Sequence, residues 1–277
     1  MNQKMSSGFE GFSKLSRTER FNRLVAMGAL TKEDVHYLSE GGVDDLALGE
    51  KLIENVIGYF QLPLGVATNF CIDGVDYAIP MAVEETSIIA ALSKTAKWIR
   101  TCGRITTQSL GNHILGQIHI PHVKNFEHLT AMFNAHQGLW VEEANQTVAA
   151  NMVARGGGVI GMTLEQLLHP KDGLSAVIHL SMNCCDAMGA NMINQVLEFL
   201  KHPIELATGE TVGICILSNL NDQKLSYACV EINDVDETLG HDLEEASIFA
   251  EISPYRAATH NKGVMNGIDP ILIATGN

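Results

Sequence analysis

The sequence changes its hydrophobic pattern twice, and these changes restrict the possible folds more than any other feature. Residues 16–59 and the stretch after Val235 carry apolar residues at helical intervals. Between them, from Gly111 onwards, short apolar runs typical of strands accompany one strong helix near Asn191 to Leu200. This middle segment is predicted to be an α+β module of roughly 100 residues. The chain as a whole is therefore expected to be an α+β protein.

The first segment is predicted to contain three helices followed by a hairpin. Ser16 and Thr31 are suitable N-caps for the first two helices, because their hydroxyl groups accept hydrogen bonds from backbone N–H groups. The predicted helices are Arg17 to Met27, Glu33 to Glu40 and Leu46 to Tyr59. Asp73-Gly74 then predicts a tight turn between strands Val66 to Ile72 and Val75 to Pro80, since this dipeptide tolerates positive φ at both centres.

The remaining elements follow from the same patterns. The predicted strands of the middle segment are Ile114 to Ile120, Ala176 to Met182, Val212 to Leu217 and Leu225 to Ile232. A further helix is expected over Leu239 to Ile252. Glycine and asparagine residues between His260 and Asp269 predict a loop, and Pro270 to Ala274 resembles a strand.

Composition and charge exclude several classes of protein. The formal net charge of -14 repels polyanions, so no nucleic acid is expected as a partner. The longest apolar runs, such as Ala78 to Val83, fall far short of the roughly 18 to 20 residues of a membrane span. The six cysteines lack Cys-x-x-Cys spacing and the start lacks the pattern of a secretory signal. We therefore predict a cytoplasmic protein without a membrane partner.

Two carboxylates stand where a strand is predicted to meet a helix. Glu84 and Glu85 follow the apolar run that ends at Val83 and precede Ser87, after which one apolar helix face begins. A carboxyl group desolvated at such a corner would have a raised pKa and could donate a proton near neutrality. The alternative is a solvated first turn, whose acidic residues favour the helix dipole.

Two further segments are candidates for ligand binding. Glu54 to Gly58 precede Leu62 to Ala67, which is also compatible with a packed corner where Gly58 ends a helix. Asp186-Ala187-Met188-Gly189-Ala190-Asn191 places small residues at a helix start, where a phosphate group could approach backbone N–H groups. The latter differs from the Gly-x-Gly-x-x-Gly pattern, and an ordinary helix N-terminus is the alternative.

Taken in this order, and followed by His260 to Asp269 and Ala274 to Asn277, these segments resemble the class II 3-hydroxy-3-methylglutaryl-coenzyme A (HMG-CoA) reductases. The resemblance spans nearly the whole chain. It implies a large, mainly helical domain, residues 1–112 and 219–277, interrupted by a small dinucleotide-binding domain, residues 113–218. The small domain would be ferredoxin-like rather than a Rossmann fold. The resemblance also implies a homodimer whose active sites lie at the subunit interface.

The resemblance assigns roles in the reduction of HMG-CoA to mevalonate and free coenzyme A, or in the reverse reaction. Lys262 would stabilise the oxyanion, and Glu85, rather than Glu84, would supply a proton. The predicted substrate-binding residues are Glu54, Asn55 and Gly58 for coenzyme A, and Ser87, Arg256 and Asn266 for the acyl group. An arginine is suited to this task because its planar guanidinium holds a carboxylate at two points.

The same resemblance predicts NADPH or NADH as the cofactor, with coenzyme A thioester as the substrate. The residues that match the cofactor site are Asp186, Met188, Gly189, Asn191 and Asn219. The acidic residue with which some members bind the 2′-hydroxyl of NADH would fall near Ala149. Its loss removes a repulsion against a 2′-phosphate, so NADPH becomes admissible.

Two departures from the family pattern support an alternative. In the family the catalytic aspartate follows Ala-Thr-Gly-Asn, a motif that here ends at Asn277, and a general-acid histidine lies further on. The sequence therefore resembles a C-terminally truncated member. The alternative function is a catalytically incomplete fragment or paralogue that binds coenzyme A esters or a dinucleotide and dimerises without turnover. No metal is expected, because His113, His119 and His122 lack a recognised ligand spacing.

Overall fold

The computed structural model describes residues 8–43, 45–168 and 173–276, and these residues form two compact units. Unit 1 combines the residues up to Thr107 with those from Ala228 onwards, and unit 2 is formed by Gln108–Tyr227. The protein is a mixed α+β structure, as the sequence predicts. None of the helices within the described ranges is long and apolar enough to cross a membrane.

The first part of unit 1 consists of short helices, a hairpin and one longer helix. Its elements are a 3₁₀ turn at Phe12–Lys14, α1 (Arg17–Ala26), α2 (Lys32–Glu40), α3 (Leu46–Leu52), β1 (Leu64–Ile72), β2 (Val75–Ala82), α4 (Ile88–Cys102) and β3 (Gly103–Leu110). The predicted caps are confirmed: Ser16 and Thr31 each form a capping box with the residue three positions on. The predicted hairpin is also confirmed, with φ of 51° at Asp73 and 81° at Gly74.

The described part of unit 2 forms a four-stranded sheet and two long helices in the order β-α-β-β-α-β, with a short α6 added. Its elements are β4 (His113–Ile120), α5 (Phe126–Gln146), α6 (Ala150–Val153), β5 (Gly158–Leu168), β6 (Leu174–Asn183), α7 (Ala190–Thr208) and β7 (Ile214–Leu217). The strands form one sheet in the order β5-β6-β4-β7, and each adjacent pair is antiparallel. Buried residues of the strands and of α5 and α7 form one hydrophobic core.

The chain returns to unit 1 within β8 (Leu225–Ile232) and continues as α8 (Glu237–Ile252) and α9 (Pro254–Thr275). The unit 1 sheet has the order β2-β1-β3-β8. β1 pairs with β2 antiparallel, and with β3 in parallel at Ile72 and Ile105. α4 packs on β1, while α9 packs on β2 and on α8. These contacts bring the beginning of α4 near α9.

The predicted loop at His260 to Asp269 and the predicted strand at Pro270 to Ala274 are wrong. Both segments belong to α9. Ser253 caps this helix through its hydroxyl group, Pro254 occupies the first turn and Gly276, with φ of 73°, ends it. These terminal signals and the packing of α9 outweigh the low helix propensity of the glycines between them. Asn277, the last residue of the predicted motif, lies outside the described residues.

Two other predictions about helices need correction. The predicted helix over Leu46 to Tyr59 ends at Leu52, and Ile57 and Phe60 beyond it are 98% and 90% exposed. Side chains this exposed bury almost no apolar surface, so their helical spacing alone does not stabilise a helix beyond Leu52. The sequence prediction also missed α5, which Asn125 caps through its side chain. Its buried stripe, Leu129, Phe133, Trp140 and Ala144, is interleaved with polar residues and gives a weak periodic signal.

Candidate active site and dinucleotide site

Lys262 and Glu85 meet in unit 1, although 177 positions separate them in the sequence. Lys262 Nζ donates a hydrogen bond to Glu85 Oε2 at 2.6 Å. Glu85 lies at the corner between β2 and α4, and Lys262 lies in the third turn of α9, which packs on β2. The side chains are 62% and 48% exposed, respectively, so ligand could reach both.

Ser87 begins α4 in a backbone conformation that is unusual for serine. Its φ is 73°, in the left-handed region, and its carbonyl accepts the first helical hydrogen bond from Ala91 N at 2.8 Å. The Ser87 hydroxyl does not cap the helix. Strained backbone of this kind persists where the surrounding structure imposes it, and is common at binding sites. Ser87 follows Glu85 by two positions, and its hydroxyl group makes no capping hydrogen bond to α4.

Glu85 and Ser87 line a large cleft in unit 1. The cleft has a volume of about 1570 Å³ and also includes residues of the amino-terminal segment, β1, α4 and β3. Cationic side chains at its wall come from Arg17, Arg20, Lys94, Lys97, Arg100 and Arg104. Arg100 is bound to Asp76, and Arg104 to Glu231, so part of this charge is already paired. A cleft of this volume is large enough for a ligand of the size of a drug molecule or larger.

Arg256 and Asn266, the two other acyl-group candidates, both lie on α9 and are half-buried. Asn266 is four residues after Lys262 and so shares its helix face. Arg256 lies in the first turn, about a third of a turn around the helix axis from Lys262. One helix thus carries three of the predicted site residues, which the predicted loop would not have aligned.

The predicted coenzyme A segment, Glu54 to Gly58, lies after α3 in irregular backbone. Asn55 has a φ of 56°, and Glu54, Asn55 and Gly58 are exposed. Within the described ranges, no hydrogen bond joins these residues to Lys262 or Glu85. The structure therefore brings together the predicted proton donor, Glu85, and the predicted oxyanion-stabilising cation, Lys262.

In unit 2 the predicted cofactor residues gather at one edge of the sheet. β6 and β7 are both antiparallel to β4, which lies between them, so their carboxyl ends meet where β4 begins. Asp186, Met188, Gly189 and Asn191 lie in the turn between β6 and α7 and in the first turn of α7, and Asn219 follows β7. All but the half-buried Gly189 are exposed. The first N–H groups of α7 point out of this edge, where an anion is favoured.

Close packing requires glycine at position 189. Its φ is 93°, and a Cβ atom would lie 2.3 Å from Cys184 Sγ and 2.7 Å from Ile114 Cδ1. The turn is also held by Cys185 N, which donates to Asn183 Oδ1 at 2.8 Å. A larger residue at 189 would push the turn away from β4. The glycine is thus a structural requirement of the edge.

The structure also reveals features that the sequence prediction did not contain. Lys224 Nζ donates a hydrogen bond to Ala187 O at 3.1 Å, inside the turn that carries Asp186 and Met188. Lys224 lies in a short polar loop, and its sequence context gives no indication that its side chain contacts the turn at Ala187. Ala149 is fully buried in the core of unit 2. In the part of the chain that the structure describes, no three His, Cys, Asp or Glu side chains form a metal-binding group.

The chain is similar to known proteins over nearly its whole length. The family described as hydroxymethylglutaryl-coenzyme A reductase matches residues 17–277. The 3-hydroxy-3-methylglutaryl-coenzyme A reductase of Archaeoglobus fulgidus is 39% identical over 282 residues, covering 99% of this chain and 63% of that protein. A probable reductase of the same name from Borreliella burgdorferi is 30% identical over 235 residues, covering 82% of this chain and 52% of that protein.

Solved structures show the same likeness. The 3-hydroxy-3-methylglutaryl-coenzyme A reductase of Streptococcus pneumoniae superposes with a TM-score of 0.89 at 35% identity, covering 97% of this chain and 65% of that one. A second structure from this organism, of the class II enzyme bound to NADPH in open conformations, has the same TM-score and identity and is covered to 74%. The chain spans less than two-thirds of the length of the Archaeoglobus and Borreliella proteins.

Proposed function

The chain belongs to the hydroxymethylglutaryl-coenzyme A reductase family, and on this premise we propose that the protein reduces HMG-CoA to mevalonate and free coenzyme A, or catalyses the reverse reaction. Two molecules of a nicotinamide dinucleotide, NADPH or NADH, would be consumed in each turnover, since each supplies one hydride. The observation that carries the proposal is the contact of 2.6 Å between Lys262 Nζ and Glu85 Oε2. It joins a cation to a proton carrier that lines the cleft.

The reaction explains why both groups are needed. Each hydride that reaches the acyl carbon leaves negative charge on the former carbonyl oxygen, which the Lys262 ammonium stabilises. Glu85, bound to the same ammonium, supplies a proton to that oxygen. Overall, one thioester takes up two hydrides and two protons and releases an alcohol and a thiol. Ser87, Arg256 and Asn266 hold the acyl group, with the Arg256 guanidinium on its carboxylate.

We assign the two units to the two ligands. Unit 1 corresponds to the substrate-binding domain, proposed as residues 1–112 and 219–277, and unit 2 to the ferredoxin-like dinucleotide-binding domain, proposed as residues 113–218. The β-α-β-β-α-β order and the sheet order β5-β6-β4-β7 support the ferredoxin-like assignment. The turn from Asp186 to Asn191, with Asn219 beside it, is the proposed cofactor site. The NADPH bound to the Streptococcus pneumoniae relative supports the class of ligand.

A homodimer is proposed because the last two helices expose much apolar surface. Phe249, Ile252 and Tyr255 at the junction of α8 and α9 are exposed, as are Val264, Met265 and Ile268 further along α9. Patches of this kind mark protein contacts in soluble proteins. α9 also carries Lys262, so a second subunit that covers this surface would exclude water from the site. A cytoplasmic location is proposed from the six unpaired cysteines.

The test is oxidation of NADPH, followed by its absorbance, in the presence of HMG-CoA and the full-length gene product. We expect oxidation of two NADPH for each HMG-CoA consumed, with release of a free thiol. Absence of oxidation together with intact NADPH binding would refute the reductase and favour the alternative, a paralogue that binds its ligands without turnover. Sedimentation at micromolar concentration tests the homodimer, which a purely monomeric species would contradict.

A further inference from the structure

The loop between β7 and β8 is fixed to the edge of the unit 2 sheet by its own backbone and side chains. His113 N donates to Gln223 O at 3.1 Å, and Leu115 N donates to Asn221 Oδ1 at 3.3 Å. Lys224 N closes the loop on Asn221 O at 3.1 Å. Both contacts with the sheet are made to the first residues of β4. The loop is therefore held beside the turn between β6 and α7, which ends at the same edge.

Lys224 uses this position to reach across to that turn. Its backbone is held by the loop, its side chain is half-buried, and its Nζ donates to Ala187 O at 3.1 Å. An ammonium group has three donors, and within the described residues one of them is used at Ala187. The other two N–H donors of the Lys224 ammonium, and its positive charge, lie at the edge of the unit 2 sheet where α7 begins. This arrangement differs from that of an ordinary surface lysine, whose side chain extends into solvent.

The charge of Lys224 acts on the turn itself. Burial raises the pKa of the Cys184 thiol, and the nearby Lys224 ammonium partly opposes this rise. Cys184 packs against Gly189, the residue that precedes α7, so the Lys224 ammonium lies close to the start of that helix. The same turn carries the exposed Asp186, in a protein whose net charge is -14. A phosphate-bearing ligand at this edge would meet repulsion that a fixed cation offsets.

We propose that Lys224 is a positioning residue of the dinucleotide site, which holds the turn from Cys184 to Gly189 through Ala187 O and offsets the charge of Asp186 for an incoming dinucleotide. This inference rests on the proposed function, because it assumes that the edge binds NADPH or NADH. It adds to the predicted cofactor residues one that touches the turn from another loop. The proposal does not require Lys224 to touch the nicotinamide.

The experiment measures NADPH binding to the 277-residue chain by the change in nicotinamide fluorescence, at several KCl concentrations. Lys224→Met removes the hydrogen bond and the charge, Lys224→Gln keeps a donor without charge, and Lys224→Arg keeps both. Lys124→Met is the matched control, because Lys124 Nζ donates to Gly209 O at 2.9 Å at the opposite end of α7. It removes an equivalent lysine–carbonyl hydrogen bond far from the proposed site.

We expect Lys224→Met to weaken NADPH binding by about tenfold, since a hydrogen bond to a charged group is lost. Lys224→Arg should restore most of the affinity, and Lys124→Met should bind as the parent does. Lys224→Gln should show a shallower loss of affinity with rising KCl than the parent, because a charge has been removed. A structural role alone would not change this salt dependence.

The outcomes separate the inference from the proposed function. If the parent binds NADPH and Lys224→Met binds it equally well, the role of Lys224 is refuted while the reductase proposal stands. An equal weakening in Lys224→Met and Lys124→Met would also refute it, since any lost lysine contact would then suffice. A parent chain that fails to bind NADPH and NADH would overturn both the inference and the proposed cofactor site.

Discussion

Unit 1 and unit 2 bury their apolar side chains very differently. In unit 2, residues such as Ile118, Leu180 and Leu197 are fully buried in one continuous core between the sheet and its helices. In unit 1, the buried cluster at the amino-terminal helices is small, and α8 contains no buried residue. Leu243 in the middle of α8 is 53% exposed. Unit 2 thus resembles an independent domain, whereas unit 1 presents apolar helices to its surroundings.

This difference concerns the two candidate sites directly. The proposed dinucleotide site lies at an edge built on packed strands and on Gly189, which the packing requires, so its geometry is set within unit 2. The Lys262–Glu85 pair joins a strand end to a helix with an exposed apolar surface. Its chemistry therefore depends more on what covers that surface. Substitutions at the Lys262–Glu85 pair in unit 1 should therefore change turnover, whereas substitutions in the core of unit 2 should change the free energy of unfolding.

The largest effect is expected at the Lys262–Glu85 pair. In the full-length protein, Lys262→Ala should lower the rate of HMG-CoA reduction by about 10²- to 10³-fold, because the developing oxyanion loses its cation. Glu85→Gln, which keeps the shape and removes the proton, should lower it to a similar extent. NADPH binding should not change in either variant. Lys32→Ala, at the exposed first position of α2, is the matched control.

If Lys262→Ala turned over HMG-CoA at the parent's rate, the assignment of Lys262 to the oxyanion would be wrong. If NADPH binding fell together with turnover, the separation of the two sites between the units would be wrong.

The second prediction concerns the cores themselves. Leu197→Ala should lower the free energy of unfolding by about 2 to 5 kcal/mol, because a cavity is left in a fully packed site. Leu243→Ala should lower it by less than about 0.5 kcal/mol if its surface meets only water. Urea denaturation of both variants measures the difference. A comparable loss for Leu243→Ala would show that α8 is covered in solution, as the proposed homodimer requires.

A third comparison lies within unit 2 and separates packing from backbone strain. Gly189→Ala should destabilise the protein by about 2 to 3 kcal/mol, since the new methyl group meets Cys184 and Ile114 in addition to an unfavourable φ. Gly156→Ala should cost only about 1 to 2 kcal/mol, because its φ of 91° is similar but no atom lies within 4 Å of the new group. Thermal unfolding measures both, and equal values would contradict the close packing of the turn.

The smallest expected effect is a difference in thiol reactivity. Burial raises the pKa of Cys215 in unit 2 to about 11, with Glu198 adding to the rise, whereas Cys229 in unit 1 is exposed. Only the thiolate reacts, so alkylation of Cys215 should rise by about tenfold for each pH unit between pH 7 and 10. Mass spectrometry of iodoacetamide-treated protein gives both rates. A plateau for Cys215 near pH 8.5 would contradict the raised pKa.

The local signals in the sequence predicted elements well where one short motif determines the backbone. Ser16, Thr31 and Asp73-Gly74 act through their own hydrogen bonds and φ angles, and the elements that they begin or join are confirmed. The pattern failed where packing decides. Ile57 lies within the predicted helix Leu46 to Tyr59 but is 98% exposed, and α9 is continuous despite two internal glycines and Pro270. The roles of Glu85, Lys262 and the cofactor residues remain predictions.

The sequence by itself determined the family, the α+β class and the residue types available for chemistry, because these depend on the order of motifs along the chain. Only the tertiary structure decided that Lys262 Nζ lies 2.6 Å from Glu85 Oε2, and that Lys224 reaches Ala187. Contacts between residues so distant in the chain arise from the packing of helices on strands. Packing depends on the shapes of many side chains at once, and no local pattern encodes it.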